Sequence, residues 1–224
     1  PSIATYAKYN TTGWTMTAVV YCTTYSGSTK IGDTKNTGNI TFTIPNSVKP
    51  SVSSITLTKV DTYFGDGTLL QTKSKYKIQT SASAYSNGGA TIKSYSVSDG
   101  TAVVGTSADF TTGVLNYTGP RTYTVTVTDT RGATATKSVT GESVVAYYAL
   151  TYTEVLIQRC NSAGTVENEG TKCLVTLSVN VPSCGGKNTY NIRVRSRPKN
   201  GTWGDFISVE TGDVLGDFDT SLTY

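Results

Sequence analysis

The sequence predicts an all-β protein built from tandem immunoglobulin-like β-sandwiches, and three observations support this. Short runs alternate apolar with polar residues, most clearly TYTVTVTD at 122–129. Because successive side chains of a strand point to opposite faces, such runs are half-buried strands. Threonine and serine make up 65 of the 224 residues, a composition that suits pleated sheets better than helices. No apolar stripe recurs at helical spacing.

The first 46 residues contain too few strands for a closed sandwich. Two runs are clear, GWTMTAVVYC at 13–22 and NITFTI at 39–44, and a weaker one lies near IATYAKY. We therefore expect residues 1–46 to be the C-terminal part of a preceding β domain. The segment PNSVKP that follows is predicted to be a short, stiff linker, because its two prolines fix the backbone and lack an N–H donor.

Residues 50–147 contain enough strands for one complete sandwich. Glycine and asparagine, which favour turns, stand between the strand runs. Six or seven short strands separated by such turns are typical of an immunoglobulin-like sandwich. The runs are SVSSITLTKV, YKIQTSAS, TIKSYSVS, a weaker TAVVGTSADF, TYTVTVTD and ATATKSVT.

Residues 148–224 begin a second sandwich with the same alternation. We expect this domain to be truncated at its C-terminus, because the last strands of a sandwich are missing. Its runs are TYTEVLIQR, TKCLVTLSVN, NTYNIRVRS, WGDFISV and DTSLTY.

Several segments together resemble a known family. They are GATIKSYSVSDG at 89–100, YTVTVTDTRG at 123–132 and CNSAGTVENEGT at 160–171, preceded by the junction NITFTIPNSVKP. Over about residues 38–185 the chain is similar to the immunoglobulin-like and fibronectin-like tandem modules of minor structural tail proteins from siphophages of Gram-positive bacteria. The resemblance implies a fibronectin-III-like second sandwich and a structural role in a tail tip, tail fibre or other tail-associated subunit.

The composition argues against an enzyme. The chain has no histidine, so imidazole bases, histidine metal ligands and triads that use histidine are excluded. Paired carboxylates could still serve a glycosidase. They are predicted to lie in turns, where aspartate commonly bonds its own backbone, so we expect no catalytic residue. The candidates are Asp61 with Asp66, and Asp205, Glu210, Asp213, Asp217 and Asp219.

Ligand classes can be narrowed in the same way. Asp61, Asp66 and Thr68 offer too few oxygens for calcium, and no cysteine spacing suits zinc, so neither a metal nor a cofactor is predicted. The net charge of +4 is mild and scattered, which does not indicate nucleic-acid binding. No run approaches the roughly 18 apolar residues of a membrane helix, so a membrane partner is not expected.

One strand carries a candidate interaction face. In NTYNIRVRSRPK, alternation places Tyr190, Ile192 and Val194 on one face. The opposite face could contact a phosphate-rich wall polymer or an acidic neighbouring subunit, or it could simply be the solvent face of the strand. That face contains Asn191, Arg193, Arg195 and Arg197.

The cysteines and large aromatic residues have structural interpretations. Cys173 alternates in phase with Val175 and Leu177, so it is predicted to be a buried free thiol, although a disulfide among Cys160, Cys173 and Cys184 is the alternative. Large rings near the predicted domain ends could form a glycan platform, but packing within the protein is the simpler use. The rings are Trp14, Tyr147, Tyr148 and Trp203.

Together these observations predict a structural, non-enzymatic virion protein that spaces or supports host-attachment parts, assembled in the host cytoplasm. Its expected partners are other virion subunits, including copies of itself, and a host-surface glycan or wall polymer. Two alternatives stay open: a bacterial cell-surface adhesin with repeated immunoglobulin-like domains, and an accessory carbohydrate-binding region of a glycan-active enzyme.

Overall fold

The computed structural model describes residues 15–43, 46–85, 90–214 and 218–223, and the regular secondary structure of these residues is almost entirely β-strand. The single helix among them is a 3-10 turn at Asn46–Val48. No helix in this part of the chain is long and apolar enough to cross a membrane. The strands are β1 (Thr15–Ala18), β2 (Tyr21–Cys22), β3 (Tyr25–Ser26), β4 (Thr29–Lys30), β5 (Lys35–Asn36), β6 (Ile40–Thr43), β7 (Ser51–Val60), β8 (Leu69–Leu70), β9 (Lys75–Ser83), β10 (Ile92–Ser98), β11 (Val103–Gly105), β12 (Asp109–Thr111), β13 (Thr122–Asp129), β14 (Thr134–Thr140), β15 (Val144–Val145), β16 (Thr151–Cys160), β17 (Lys172–Val181), β18 (Asn188–Val194), β19 (Ile207–Val214) and β20 (Phe218–Thr223).

The chain forms two compact units. Unit 1 holds the described residues up to Thr58 together with Tyr76–Gly113 and Arg121–Gly141. Unit 2 holds Lys59–Lys75, Val114–Pro120 and the described residues from Glu142 onward.

Unit 1 contains two main antiparallel sheets whose strands follow the predicted alternation. One has the order β11-β10-β13-β14 and the other β12-β9-β7. In β13, Tyr123, Val125 and Val127 are at most 1% exposed, while the threonines between them are more accessible. The Tyr123 ring meets the Tyr76 ring of the other sheet edge-on, with centroids 5.8 Å apart. The two sheets therefore pack face to face, and the predicted half-burial of TYTVTVTD is confirmed.

A buried ion pair closes the β13–β14 hairpin of unit 1. The side chains of Asp129 and Arg131 are both fully buried, with Arg131 Nη2 2.6 Å and Nε 2.9 Å from Asp129 Oδ2. Asp129 Oδ1 accepts the backbone N–H groups of Arg131 and Ala133 at 2.9 and 3.0 Å. Arg131 also donates to the carbonyl of Val48. The turn at residues 130–132 is thus fixed by a charged pair in the core.

Two predicted strands of unit 1 proved to be composite. The run TAVVGTSADF divides into β11 and β12, which lie in different sheets, because residues 106–108 interrupt it. The run at 13–22 becomes β1, paired with β6, and the short β2, paired with β5. The predicted strand near IATYAKY lies outside the described residues. Within the PNSVKP segment, Val48 is 2% exposed and is buried in unit 1.

Unit 2 contains a sheet of order β16-β17-β20, the hairpin β18-β19 and the short parallel pair β8-β15. Val179 and Val181 of β17 are buried, and Tyr190 and Ile192 of β18 pack against them. Towards β16 the space between these sheets opens into a groove of about 740 Å³.

Cys173 was predicted to lie on the core face, and this was wrong, since its side chain is exposed. Its alternation is correct for β17, but the residue lies near the start of the strand, opposite Arg159 and away from the packed pair Val179 and Val181. Cys22 is exposed, Cys160 and Cys184 are buried, and none of these cysteines forms a disulfide within the described residues.

Candidate functional site

The predicted interaction face lies on the β18–β19 hairpin of unit 2. Tyr190, Ile192 and Val194 of β18 are half-buried, whereas Asn191 and Arg193 are exposed, as the alternation predicts. Asn191 accepts a hydrogen bond from the Ser208 hydroxyl of β19 at 3.3 Å. The face is therefore presented outward by a strand whose other side packs on the core of unit 2.

The strand itself ends earlier than predicted. β18 stops at Val194, opposite Ile207 of β19, so Arg195 and Arg197 follow the strand, on either side of Ser196, whose carbonyl accepts the Gly204 N–H at 3.0 Å. A turn then reverses the chain, with the Gly201 N–H donating to the Pro198 carbonyl at 2.9 Å. Asn200 has a φ of 62°, a left-handed conformation that asparagine tolerates. The return segment, residues 202–206, is thereby brought back beside the arginines.

Two aromatic rings of the return segment alternate with the three guanidinium groups. Arg193 lies 4.9 Å from the centroid of the Phe206 ring, and Arg195 lies 4.6 Å from the same centroid. Arg195 and Arg197 each lie 4.7 Å from the centroid of the Trp203 ring. We call these five residues the arginine ladder.

The arginine ladder is exposed and carries three positive charges. Trp203 and Phe206 are 51% and 52% exposed, and none of the three arginines forms an ion pair with a carboxylate among the described residues. A guanidinium above a ring is held through its face at about 0.5–1 kcal/mol per contact at an exposed site. Its N–H edges stay available for two-point contacts to phosphate or carboxylate.

Sequence reasoning identified the arginines but missed their pairing with the rings. Trp203 was considered as part of a glycan platform or, more simply, as a packing residue, and Phe206 was not singled out. The available signal was the Asn200–Gly201 dipeptide, which favours hairpin turns and would fold residues 203–206 back beside residues 193–197.

The proposed glycan platform is not gathered in one place. Tyr147 lies under the Lys73 ammonium, 5.1 Å from its ring centroid, and the Tyr148 hydroxyl donates to Asn180 at 2.7 Å. Trp203 belongs to the arginine ladder, and Trp14 lies outside the described residues.

The described carboxylates that were considered for catalytic or calcium sites bond to other side chains. The exception is Asp205, which is exposed. Asp61 pairs with Lys75 at 3.2 Å. Glu210 accepts the Tyr190 hydroxyl at 2.5 Å, a hydrogen bond that raises the pKa of Tyr190. Asp217 and the side chains of Asp213 and Asp219 lie outside the described part. Among the described residues no cluster of three possible metal-ligating carboxylates and thiols occurs.

Asp66 is held by charge and hydrogen bonds in an exposed loop of unit 2. Lys187 Nζ lies 2.5 Å from Asp66 Oδ2. The Thr68 hydroxyl and backbone N–H donate to Oδ1 at 2.6 and 3.0 Å. The hydrogen bond from Lys187, followed by that from the Thr68 hydroxyl, lowers the pKa of Asp66 from 3.8 to about 2, against the opposing effect of desolvation.

This lowered pKa predicts a specific acid sensitivity. A carboxylate whose pKa is lower in the folded state contributes stability above its unfolded pKa and loses it as the pH falls through the folded value. We expect Asp66→Asn to be less stable than the wild type at pH 6, with the difference shrinking between pH 4 and pH 2. Urea unfolding of both proteins across this range measures it. A difference that stays constant down to pH 2 would contradict the assignment.

The chain matches a known protein family. A protein-family model described as a siphovirus protein of unknown function (DUF859) matches residues 4–196. The matched interval includes Arg193 and Arg195 and ends before Arg197, Trp203 and Phe206. Neither a curated protein nor a solved structure matches the chain.

Proposed function

Because the chain belongs to a siphovirus protein family of unknown function, we propose that it is a structural, non-enzymatic subunit of the phage virion, associated with the tail. The family match over residues 4–196 is the observation that carries the proposal. The all-β architecture supports it, since stiff β modules are suited to spacing and joining parts of a particle. The paired carboxylates support a non-enzymatic role, because Asp61, Asp66 and Glu210 are each bound to a neighbouring side chain.

The proposal includes tandem immunoglobulin-like sandwiches over residues 50–147 and 148–224. In unit 1, seven strands lie in a four-stranded and a three-stranded antiparallel sheet, the strand number of the simplest immunoglobulin-like sandwich. Contact between Tyr76 and Tyr123 joins the two sheets. In unit 2, β17 and β18 pack together in a similar way.

The arginine ladder is proposed to be the contact face for a linear phosphodiester polymer at the host surface. In an extended segment, the α-carbons of alternate residues such as these three arginines are about 6.6 Å apart. This spacing suits a polymer with one negative charge per repeat. Each ring already has two guanidiniums within 5 Å, so ring faces are occupied and stacking on sugars is disfavoured. A phosphate ligand is therefore favoured over a neutral glycan.

The structural role is tested by the composition of the particle. Phage particles purified by density gradient, washed in high salt and analysed by quantitative mass spectrometry should contain the chain at a constant number of copies per particle. The major capsid protein provides the internal standard. A chain found only in the soluble fraction of infected cells would contradict the proposal.

A further inference from the structure

The outer edge of β16 in unit 2 has the features of a pairing surface. β16 lies at the end of its sheet and pairs with β17 on one side. On the other side no strand is present in the part of the chain that the structure describes. The strand is ten residues long and contains neither proline nor lysine, the residues that commonly protect open edges.

The hydrogen bonds at the C-terminal end of β16 show which backbone groups face outward. The Glu167 N–H donates to the Arg159 carbonyl at 3.1 Å, and the Asn161 N–H donates to the Thr165 carbonyl at 2.9 Å, both on the side away from β17. In an antiparallel strand, alternate residues direct both backbone groups to the same side. Val155 and Ile157 therefore present their N–H and C=O groups to the open edge.

The side chains along this edge are apolar and exposed. Val155 and Ile157, on one face of the sheet, are 58% and 65% exposed, and Leu156, on the other face, is 42% exposed. An apolar triplet with free outward backbone groups is a template for another strand.

We propose that β16 of a second copy of this chain pairs antiparallel with this edge, with Leu156 on the twofold axis. The triplet Val-Leu-Ile is apolar in both directions from Leu156, so a twofold places apolar residues opposite one another on both faces. Val155 lies opposite the partner's Ile157, and these two residues exchange both backbone hydrogen bonds. Leu156 meets the partner's Leu156 as a non-hydrogen-bonded pair.

Registers in which the twofold axis is moved by one residue are disfavoured by a carbonyl that is already hydrogen-bonded and by an irregularity in β16. With Ile157 on the axis, Val155 would oppose the partner's Arg159, whose carbonyl already accepts the Glu167 N–H. With Val155 on the axis, Ile157 would oppose the partner's Thr153, at the irregularity between Tyr152 and Glu154. With Leu156 on the axis, Glu154 faces the partner's Gln158, so no like charges meet.

The register makes a sharp prediction for disulfide cross-linking. The α-carbons of a non-hydrogen-bonded antiparallel pair lie about 4.5 Å apart, within reach of a disulfide. Leu156→Cys, in a chain whose exposed thiols are removed by Cys22→Ser and Cys173→Ser, should give a covalent dimer under a mild oxidant. Ile157→Cys is the matched control, because the two copies of residue 157 would lie about 8 Å apart, beyond disulfide range.

The 224-residue chain is used for both variants, and products are separated without reductant. A dimer with Leu156→Cys and little with Ile157→Cys supports the register. No dimer with Leu156→Cys, or equal yields from the two variants, overturns it. The absence of a Leu156→Cys dimer is the result expected if a different chain segment or a different protein covers this edge.

A second measurement does not depend on cysteine chemistry. In sedimentation equilibrium, the wild type should show a concentration-dependent dimer, and Ile157→Lys should shift it towards monomer at least tenfold in dissociation constant. Because Ile157 is exposed, the circular dichroism spectrum should not change. A wild type that remains monomeric at all concentrations overturns the proposal.

Discussion

Asp129→Ala is expected to destabilise unit 1 by about 3–5 kcal/mol, because it leaves a buried guanidinium without its counterion. Both side chains of the Asp129–Arg131 pair are fully buried, so water cannot replace the lost partner. The substitution also removes the acceptor for the backbone N–H groups of Arg131 and Ala133 at the turn. Urea unfolding followed by circular dichroism measures the change.

An exposed ion pair of the same unit provides the control. Lys77 and Asp109 are 3.4 Å apart and about half exposed, so Asp109→Ala should cost less than about 1 kcal/mol. If Asp129→Ala does not fold, Asp129→Asn preserves the shape of the side chain and should still lose stability, since the guanidinium remains without a counterion. Equal, small losses for Asp129→Ala and Asp109→Ala would show that the buried pair contributes no more than a surface pair.

The second large effect concerns the arginine ladder. Replacing Arg193, Arg195 and Arg197 with glutamine should weaken binding to poly(glycerol phosphate) at least tenfold, because three charged two-point donors are lost. The slope of log affinity against log salt should fall in magnitude by about 2, as expected for three phosphate contacts on a flexible polyanion. Biolayer interferometry at several salt concentrations measures both quantities.

Charge and geometry can be separated with two further variants. Lys30, Lys35 and Lys93 are exposed cations of unit 1, and changing all three to glutamine removes the same charge elsewhere in the chain. The affinity of this unit 1 variant for poly(glycerol phosphate) should change little. Arginine-to-lysine changes at the three ladder positions should give an intermediate affinity, since the charge remains but the planar fork is lost. Equal weakening by the ladder and unit 1 glutamine variants would mean that binding depends on net charge alone.

The same proteins can test whether the phosphodiester ligand is a host-surface polymer or a nucleic acid. Single-stranded DNA shares the phosphodiester chemistry but depends on base stacking for much of its affinity. Since both ladder rings already contact guanidiniums, we expect the chain to prefer poly(glycerol phosphate) to DNA of equal charge. A preference for DNA would contradict the proposed host-surface ligand.

The sequence predicted the strands well because burial in a sheet has a period of two. β7, β13 and β17 lie within a residue of their predicted positions, since an apolar residue at every second position permits one register against a core. The split of TAVVGTSADF and the short strands β8 and β15 were not predicted. Such elements depend on contacts with distant parts of the chain, which alternation does not report.

The candidate site was predicted only in part, for the same reason. Alternation placed Arg193 on the outer face of β18, but the rings beside it come from a segment after the turn at residues 198–201. The buried Asp129–Arg131 pair was missed because charged residues in a turn are normally solvated, and only the fold reveals the carbonyl of Val48 above them. The open edge of β16 follows from sheet order, which the sequence of one strand does not contain.

The central claim, that this chain is a structural subunit of the phage tail, is tested most directly by immunogold electron microscopy of intact particles. Antibodies raised against the 224-residue chain should label one position on the tail of nearly every particle and leave the capsid unlabelled. Particles that lack the gene product provide the background labelling. Label on the capsid, or no label above background on particles that are otherwise complete, would contradict the account.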